Sequence, residues 1–210
     1  MKHLKASMAA KVLSIWLTPD GNNNKAVEEM CHQLVEWADK VHAGHLWKAD
    51  VQLSFTSMLC KCLEYPLPAL TLLADECHRI ELPAICQVLL SMGICCSFPR
   101  SVVHGPMQYQ GLGMPSLYKS QGLVHLQAFQ KHGGLTSIMG QLLGASIQWL
   151  KVEIVTRGPL FHSDFGIFGR LVTPSWVAHL WQYAHSKRVW LDEDTPSLAL
   201  CWEGNAFLML

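Results

Sequence analysis

Ser101–Tyr118 reads SVVHGPMQYQGLGMPSLY, and it is the one stretch with the pattern of neither a helix nor a simple strand. Pro106 and Pro115 interrupt any helix. Gly105, Gly111 and Gly113 supply backbone freedom where the chain must turn or approach itself closely. Val102 and Val103 favour an extended run into the segment. Helical patterns lie on both sides, so the stretch reads as an ordered crossover between two helical bundles.

Before it, Lys11–Leu17 (KVLSIWL) is short, apolar and partly β-branched and predicts a strand. Thr18-Pro19-Asp20-Gly21 predicts a turn, and the asparagines at 22–24 offer an N-cap. A first helix is expected from about Lys25 to about His42, with Val27, Met30, Leu34, Trp37 and Val41 on one face and Gly44 as its stop. A second is expected from about Lys48 to about Glu64, with Val51, Phe55, Met58, Leu59 and Cys62 sharing a face. Tyr65-Pro66-Leu67-Pro68 ends it. A third, capped by Asp75, carries Cys77, Ile80, Ala84, Val88 and Leu89. Pro83 should kink or split it, and Met92-Gly93 closes it.

After the crossover, helices are expected over about 115–131 and 136–152. Gly140 and Gly144, four residues apart, make a smooth strip on which another helix could pack. TRGPLFHSDFGIFGR, beginning at Thr156, reads as loop or short strand. Ser175 caps a short helix, Arg188–Leu191 and Leu198–Cys201 read as strands, and Glu203-Gly204-Asn205 could turn a hairpin before Ala206–Leu210. The fold class is therefore mainly α, a helical bundle with a short N-terminal β element and a small mixed α/β end.

Composition bounds the function. The 210 residues are 50% hydrophobic and only 15% charged, against about a quarter in typical soluble domains. Part of the apolar surface is therefore expected to belong against something else. The formal net charge is zero, which counts against strong independent nucleic-acid binding but leaves room for a local basic strip. Eight cysteines without a CxxC point to reduced thiols and an intracellular setting. The N-terminus is only faintly signal-like, and no window is apolar enough for a membrane span.

Order and content together resemble one protein type. VLSIWL, the TPDGN loop, helices broken by YPLPA, then SMGICCSFPRSVVHGP..YQGLGMPSLY and a QG-led helix are similar to the stretch after the polymerase active site in reverse transcriptases of non-LTR-type retrotransposons. The resemblance covers roughly Lys11–Glu153, and its most specific part is Pro99–Leu117. It implies that 1–22 is a remnant of the palm and primer-gripping β element, 23–98 a thumb-like bundle, 99–155 the crossover plus a helical pair, and 156–210 a small mixed region. Pro99, Gly105, Pro106, Gly111, Gly113 and Leu117 become its structural motif residues.

Two departures stand out. Leu13-Ser14-Ile15 replaces the usual Leu-Gly-Val, and Tyr109-Gln110-Gly111 replaces Tyr-Gly-Gly. Nothing in the sequence matches fingers, palm or the paired aspartates that hold magnesium, so Mg2+ would belong to a missing palm and no cofactor is expected in this chain. The implied partners are an RNA or DNA primer–template duplex and an upstream palm, not a membrane. Lys40, Lys48, Arg100, Tyr109 and Lys119 are the candidate nucleic-acid contacts, with the tyrosine as a stacking group. No catalytic residue and no metal ligand is expected. Asp192-Glu193-Asp194 reads as a solvated turn rather than a metal site, and the Cys/His pairs lack zinc spacing. No nucleophile elbow or dinucleotide loop occurs. A helical protein-interaction module is the other reading of the same chain.

Overall fold

The structure is a computed structural model that describes residues 8–193 and 198–200. The fold is mainly α, with a two-stranded sheet near each end. It forms two compact units that divide between Gln121 and Gly122.

The first unit opens with a hairpin where a single strand was expected. β1 (Ala10–Val12) pairs antiparallel with β2 (Ile15–Leu17), and Leu13 and Ser14 turn between them at φ 47° and 69°. Two positive φ values at the centre of a two-residue turn match the twist of the strands. The sequence hid this because Leu-Ser replaces the Asn-Gly or Asp-Gly that usually signals it. The expected turn follows, with the Gly21 N–H donating to Thr18 O over 3.0 Å.

α1 (Asn24–Gly44) buries Val27, Met30, Leu34 and Val41. His45, at φ 47°, ends it one residue past the glycine that was expected to do so. The second predicted helix spans its predicted range but changes pitch inside. α2 (Lys48–Ser54) leads into a π segment, Phe55–Leu59, and on into α3 (Cys60–Glu64). The Thr56 and Ser57 hydroxyls donate to Gln52 O and Leu53 O, the carbonyls that the regular ladder would use. The Cys60 N–H reaches back to Phe55 O instead. One extra residue in the turn rotates everything beyond it. Met58 and Cys62, expected on the buried face, therefore point to solvent, and Cys60 and Leu63 enter the core.

α4 (Ala74–Ser91) runs unbroken through Pro83, so the helix is not split there. Glu76, not Asp75, caps it by accepting from the Leu73 N–H at 2.9 Å. Cys77, Ile80, Ala84, Val88 and Leu89 are all fully buried, as the spacing predicts. The core of this unit is the shared interior of α1, α2–α3 and α4.

The crossover is ordered, and it is more helical than the sequence suggests. Val102 and Val103 lie in a short helix, α5 (Arg100–Val103), not in an extended run. Their N–H groups donate to Pro99 O, so local turn geometry overrides β propensity. A 3-10 turn follows at Met107–Tyr109. α6 (Leu117–His132) then starts two residues past Pro115.

In the second unit, α7 (Ile138–Glu153) begins at Ser137, whose Oγ accepts from the Gly140 N–H at 3.2 Å. The Gly140–Gly144 strip is not a helix-packing groove. A Cβ at Gly140 would lie 2.2 Å from Leu135 O, so the preceding turn needs that glycine, whereas Gly144 faces open space. Residues 156–170 fold into a 3-10 turn at Leu160–His162 and α8 (Phe165–Phe168), with no strand among them. Ser175 caps α9 (Trp176–Lys187) as expected, accepting from the Ala178 N–H. Gly122 lies flat against Tyr183, where a Cβ would come within 2.1 Å of the ring. β3 (Val189–Leu191) pairs antiparallel with β4 (Leu198–Leu200). Glu193 does not sit in a solvated turn: it accepts from Lys151 Nζ at 2.5 Å and from the Leu160 N–H. The hairpin expected over 203–210 lies outside the described residues. Among the described residues, no helix is long and apolar enough to cross a membrane.

Ser14 and Gln110, at φ 69° and 60°, predict a direct test of backbone strain. A left-handed residue with a side chain costs about 1–2 kcal/mol, and glycine gives back about 0.5–1 kcal/mol through the unfolded chain. Ser14→Gly and Gln110→Gly should each stabilise the protein by roughly 0.5–1 kcal/mol in urea denaturation.

Candidate functional site

The motif residues converge on one closed loop. After α5 the chain leaves at Gly105 and returns beside itself. The Leu112 N–H donates to Val102 O (2.9 Å), Gly113 N–H to Gly105 O (2.8 Å) and Met114 N–H to Val103 O (3.0 Å). At the crossing the two strands of the loop touch backbone to backbone. A Cβ on Gly111 would lie 2.1 Å from Gly105 O. Gly113 sits at φ 63°, and Gln110 takes a glycine-like conformation one residue before the crossing.

Glu81 fastens the loop to the helical core. It stands on the otherwise apolar face of α4 and is only 7% exposed. Its Oε1 accepts from the Leu117 N–H at 2.8 Å, at the first residue of α6, and from Ser116 Oγ at 3.5 Å. A carboxylate at a helix N-terminus meets both unsatisfied N–H groups and the positive end of the dipole. His104, the C-cap of α5, shares the site. Its Nδ1 is 3.0 Å from Met114 O. A carbonyl only accepts, so Nδ1 carries the proton and Nε2 faces Glu81 Oε2 at 3.9 Å. That distance is too long for a hydrogen bond.

Burial sets the protonation of both groups. It pushes the Glu81 carboxyl up to about 7, against the opposing pull of the Leu117 N–H, Ser116, Arg100 and Lys119. Burial also holds His104 below its ordinary value, the Met114 carbonyl opposes that, and the Lys119 and Arg100 charges reinforce it. The pair thus avoids two buried charges near neutral pH.

Gln121 makes a second fastening on the same helix. Its side chain accepts from the Leu72 N–H at 3.1 Å and donates to Leu72 O at 3.0 Å, wholly buried.

The predicted nucleic-acid contacts are spread over the first unit. Arg100 and Lys119 both act on Glu81 and His104, so the fold brings these two to one place. Arg100 is half-buried and turned inward, donating to Cys96 O at 3.4 Å. Lys119 and Tyr109 are exposed. Lys40, near the end of α1, is paired with Glu36 at 2.7 Å, and Lys48 begins α2.

A cleft of about 490 Å3 lies between the hairpin and the α1 and α3 side of the bundle. Ile15, Met30 and Leu70 form apolar wall, while Ser14, Glu29 and Tyr65 supply polar atoms. The Tyr65 hydroxyl donates to Leu13 O at 3.0 Å and holds the hairpin turn over the bundle. Trp16 lines the cleft, and its Nε1 is buried without a hydrogen-bond partner. Lys11 and Lys25 Nζ stand 5.6 and 5.9 Å from its ring, within cation–π range.

Sequence reasoning missed Glu81, His104, Gln121, Lys11 and Lys25. The one available signal was a charged residue inside the Cys77–Leu89 apolar stripe, which must find a partner when buried.

The groups of the site fasten the loop to α4. The nearby thiol of Cys60 is pushed up to about 12 by burial, and Cys77 is pushed up as well, so both stay protonated. Among the described residues no cluster of three His, Cys, Asp or Glu could hold a metal ion. No family model, curated protein or solved structure matches the chain.

Glu81 also predicts a pH dependence. Its folded pKa is raised, so its contribution is fully present below the unfolded value near 4.5 and is lost as pH rises through about 7. His104 acts oppositely, its contribution fading as pH falls below its unfolded 6.5. In Glu81→Gln the amide oxygen still accepts from Leu117, and the carboxyl titration is gone. Between about pH 5 and pH 8 its stability should improve relative to the parent by on the order of 3 kcal/mol, read by chemical denaturation.

Proposed function

We propose that this chain is a degenerate thumb and downstream region of a non-LTR-type retroelement reverse transcriptase, suited to holding primer–template duplex beside a palm. One observation carries the reading. At the two places where the resemblance expects glycine and this sequence departs from it, Ser14 and Gln110, the backbone stands in the left-handed region at φ 69° and 60°. The conformation is the one glycine serves, while the residues are not glycine. A chain released from the need for a close backbone approach at these two positions, but keeping its fold, accumulates such mildly costly replacements.

The motif residues support the same reading through their structural work. Gly105 and Gly111 make the crossing, and Leu117 receives the Glu81 cap. The hairpin cleft, with the Lys11 and Lys25 ammonium groups over the Trp16 ring and Lys25 also paired to Glu28 at 3.1 Å, is the surface best suited to a phosphate backbone and a stacked base. The sequence carries no paired aspartates on palm strands, so it polymerises nothing by itself. Magnesium would be held by the palm.

The test is binding of a labelled RNA–DNA hybrid across a salt series. Each phosphate contact contributes about −0.9 to the slope of log affinity against log salt. A negative slope is expected, reduced by about one in Lys25→Ala and in Lys11→Ala. Absence of binding at low salt, or a slope near zero, contradicts the proposal.

A second reading rests on α7, where Ile138, Leu142, Trp149 and Val152 recur at helical spacing and are exposed. Such a stripe fits a protein-interaction module, whose association would change little with salt.

A further inference from the structure

The C-terminal half of α4 and the turn behind it carry thiols that the loop closure does not use. After Gly93, at φ 76°, the Ile94 N–H returns to Leu89 O over 2.8 Å and folds residues 95–98 back along the helix. Cys96 Sγ lies 3.9 Å from Cys86 O, and the two thiols are close enough to act on each other. One guanidinium joins them: Arg100 Nη2 donates to Cys86 Sγ at 3.9 Å and to Cys96 O at 3.4 Å. Its Nη1 is buried without a hydrogen-bond partner, so the group holds capacity for a further acceptor at this spot. Neither cysteine is sealed in the core, since both are half-exposed. Cys95, next in sequence, is exposed and occupied by Ser97, with Sγ 3.0 Å from the serine Oγ.

We propose that Cys86 and Cys96 are a redox pair that peroxide converts to an intramolecular disulfide, locking the turn before the crossover onto α4. Hydrogen peroxide is the oxidant. The Cys86 sulfur, facing the guanidinium, attacks one peroxide oxygen. An S–O bond forms, the O–O bond breaks, and the departing hydroxide takes up the thiol proton as water. The Cys96 sulfur then attacks the sulfenic acid. The S–S bond forms, the S–O bond breaks, and the second oxygen leaves as water with the Cys96 proton. Two thiols are oxidised and one peroxide is reduced. Arg100 is a positioning residue here: its Nη2 holds the Cys86 sulfur at 3.9 Å, and its second N–H is free to meet the leaving oxygen. Cys95 is a poor partner for Cys96, because a bridge between adjacent residues distorts the peptide that joins them.

The experiment treats the reduced full chain with hydrogen peroxide, blocks remaining thiols with N-ethylmaleimide, and maps the digest by mass spectrometry beside a thermal melt. The expected result is a dominant peptide linked through Cys86 and Cys96, lighter by two hydrogens, with a melting temperature several degrees higher. Dithiothreitol reverses both. Both persist in Cys95→Ser and vanish in Cys96→Ser, and Arg100→Gln slows the linkage severalfold. Oxidation confined to Cys95, or blocked thiols at both Cys86 and Cys96 after treatment, overturns the pair. A linked peptide with an unchanged melt overturns the locking role.

Discussion

A buried carboxylate on α4 fastens the crossover to the core of the first unit. The chain must leave the α1–α4 bundle, cross itself and start a new helix, and the first N–H of α6, on Leu117, is buried there. Glu81 meets the N–H of Leu117 there, and His104 spans the same gap by donating to Met114 O. Removing the carboxylate would leave a buried donor without a partner, which costs on the order of 1–3 kcal/mol. Keeping it charged inside the core is also costly, and its raised pKa records that cost. The crossing itself leaves no space for a Cβ on Gly111. Polar fastening and backbone contact thus fix one path for the chain from α5 into the start of α6.

Where apolar spacing alone decides, the sequence was legible. The stripes of α1 and α4 are buried residue for residue apart from the half-buried Trp37, and the Ser175 cap of α9 and the Thr18–Gly21 turn stand where their chemistry put them. What escaped were places where a local effect outweighs periodicity. Thr56 and Ser57 take carbonyls from the helix ladder and shift its phase, so Met58 and Cys62 leave the core. Leu13-Ser14 adopts a turn that its residues disfavour, because β1 and β2 pair across it. Val102 and Val103 are helical because Pro99 offers its carbonyl to both.

The candidate site was less legible than the fold for a related reason. Glycines and prolines announce that a loop is special, and Gly105, Pro106, Gly111 and Gly113 did so. They do not announce which distant side chain holds it. Glu81 is thirty-six residues from Leu117 in sequence, and a glutamate on a helix that also carries Asp75, Glu76 and Arg79 looks like any exposed charge until the packing is known. The basic candidates show the same gap. Arg100 reads as a surface cation, yet its guanidinium turns in toward Cys96 and Cys86. Lys11 and Lys25, which flank Trp16, were separated in sequence by the whole hairpin and its loop.

Native-state hydrogen exchange tests the central claim most directly. If the crossover is fastened as a unit of the core, the amides of Leu112, Gly113, Met114 and Leu117 should exchange only through the same opening as those of Ile80 and Ala84 in α4. Their protection should then rise and fall together as denaturant is added. Rapid exchange of these four amides while α4 stays protected would mean that the loop opens on its own, and that Glu81 does not hold it.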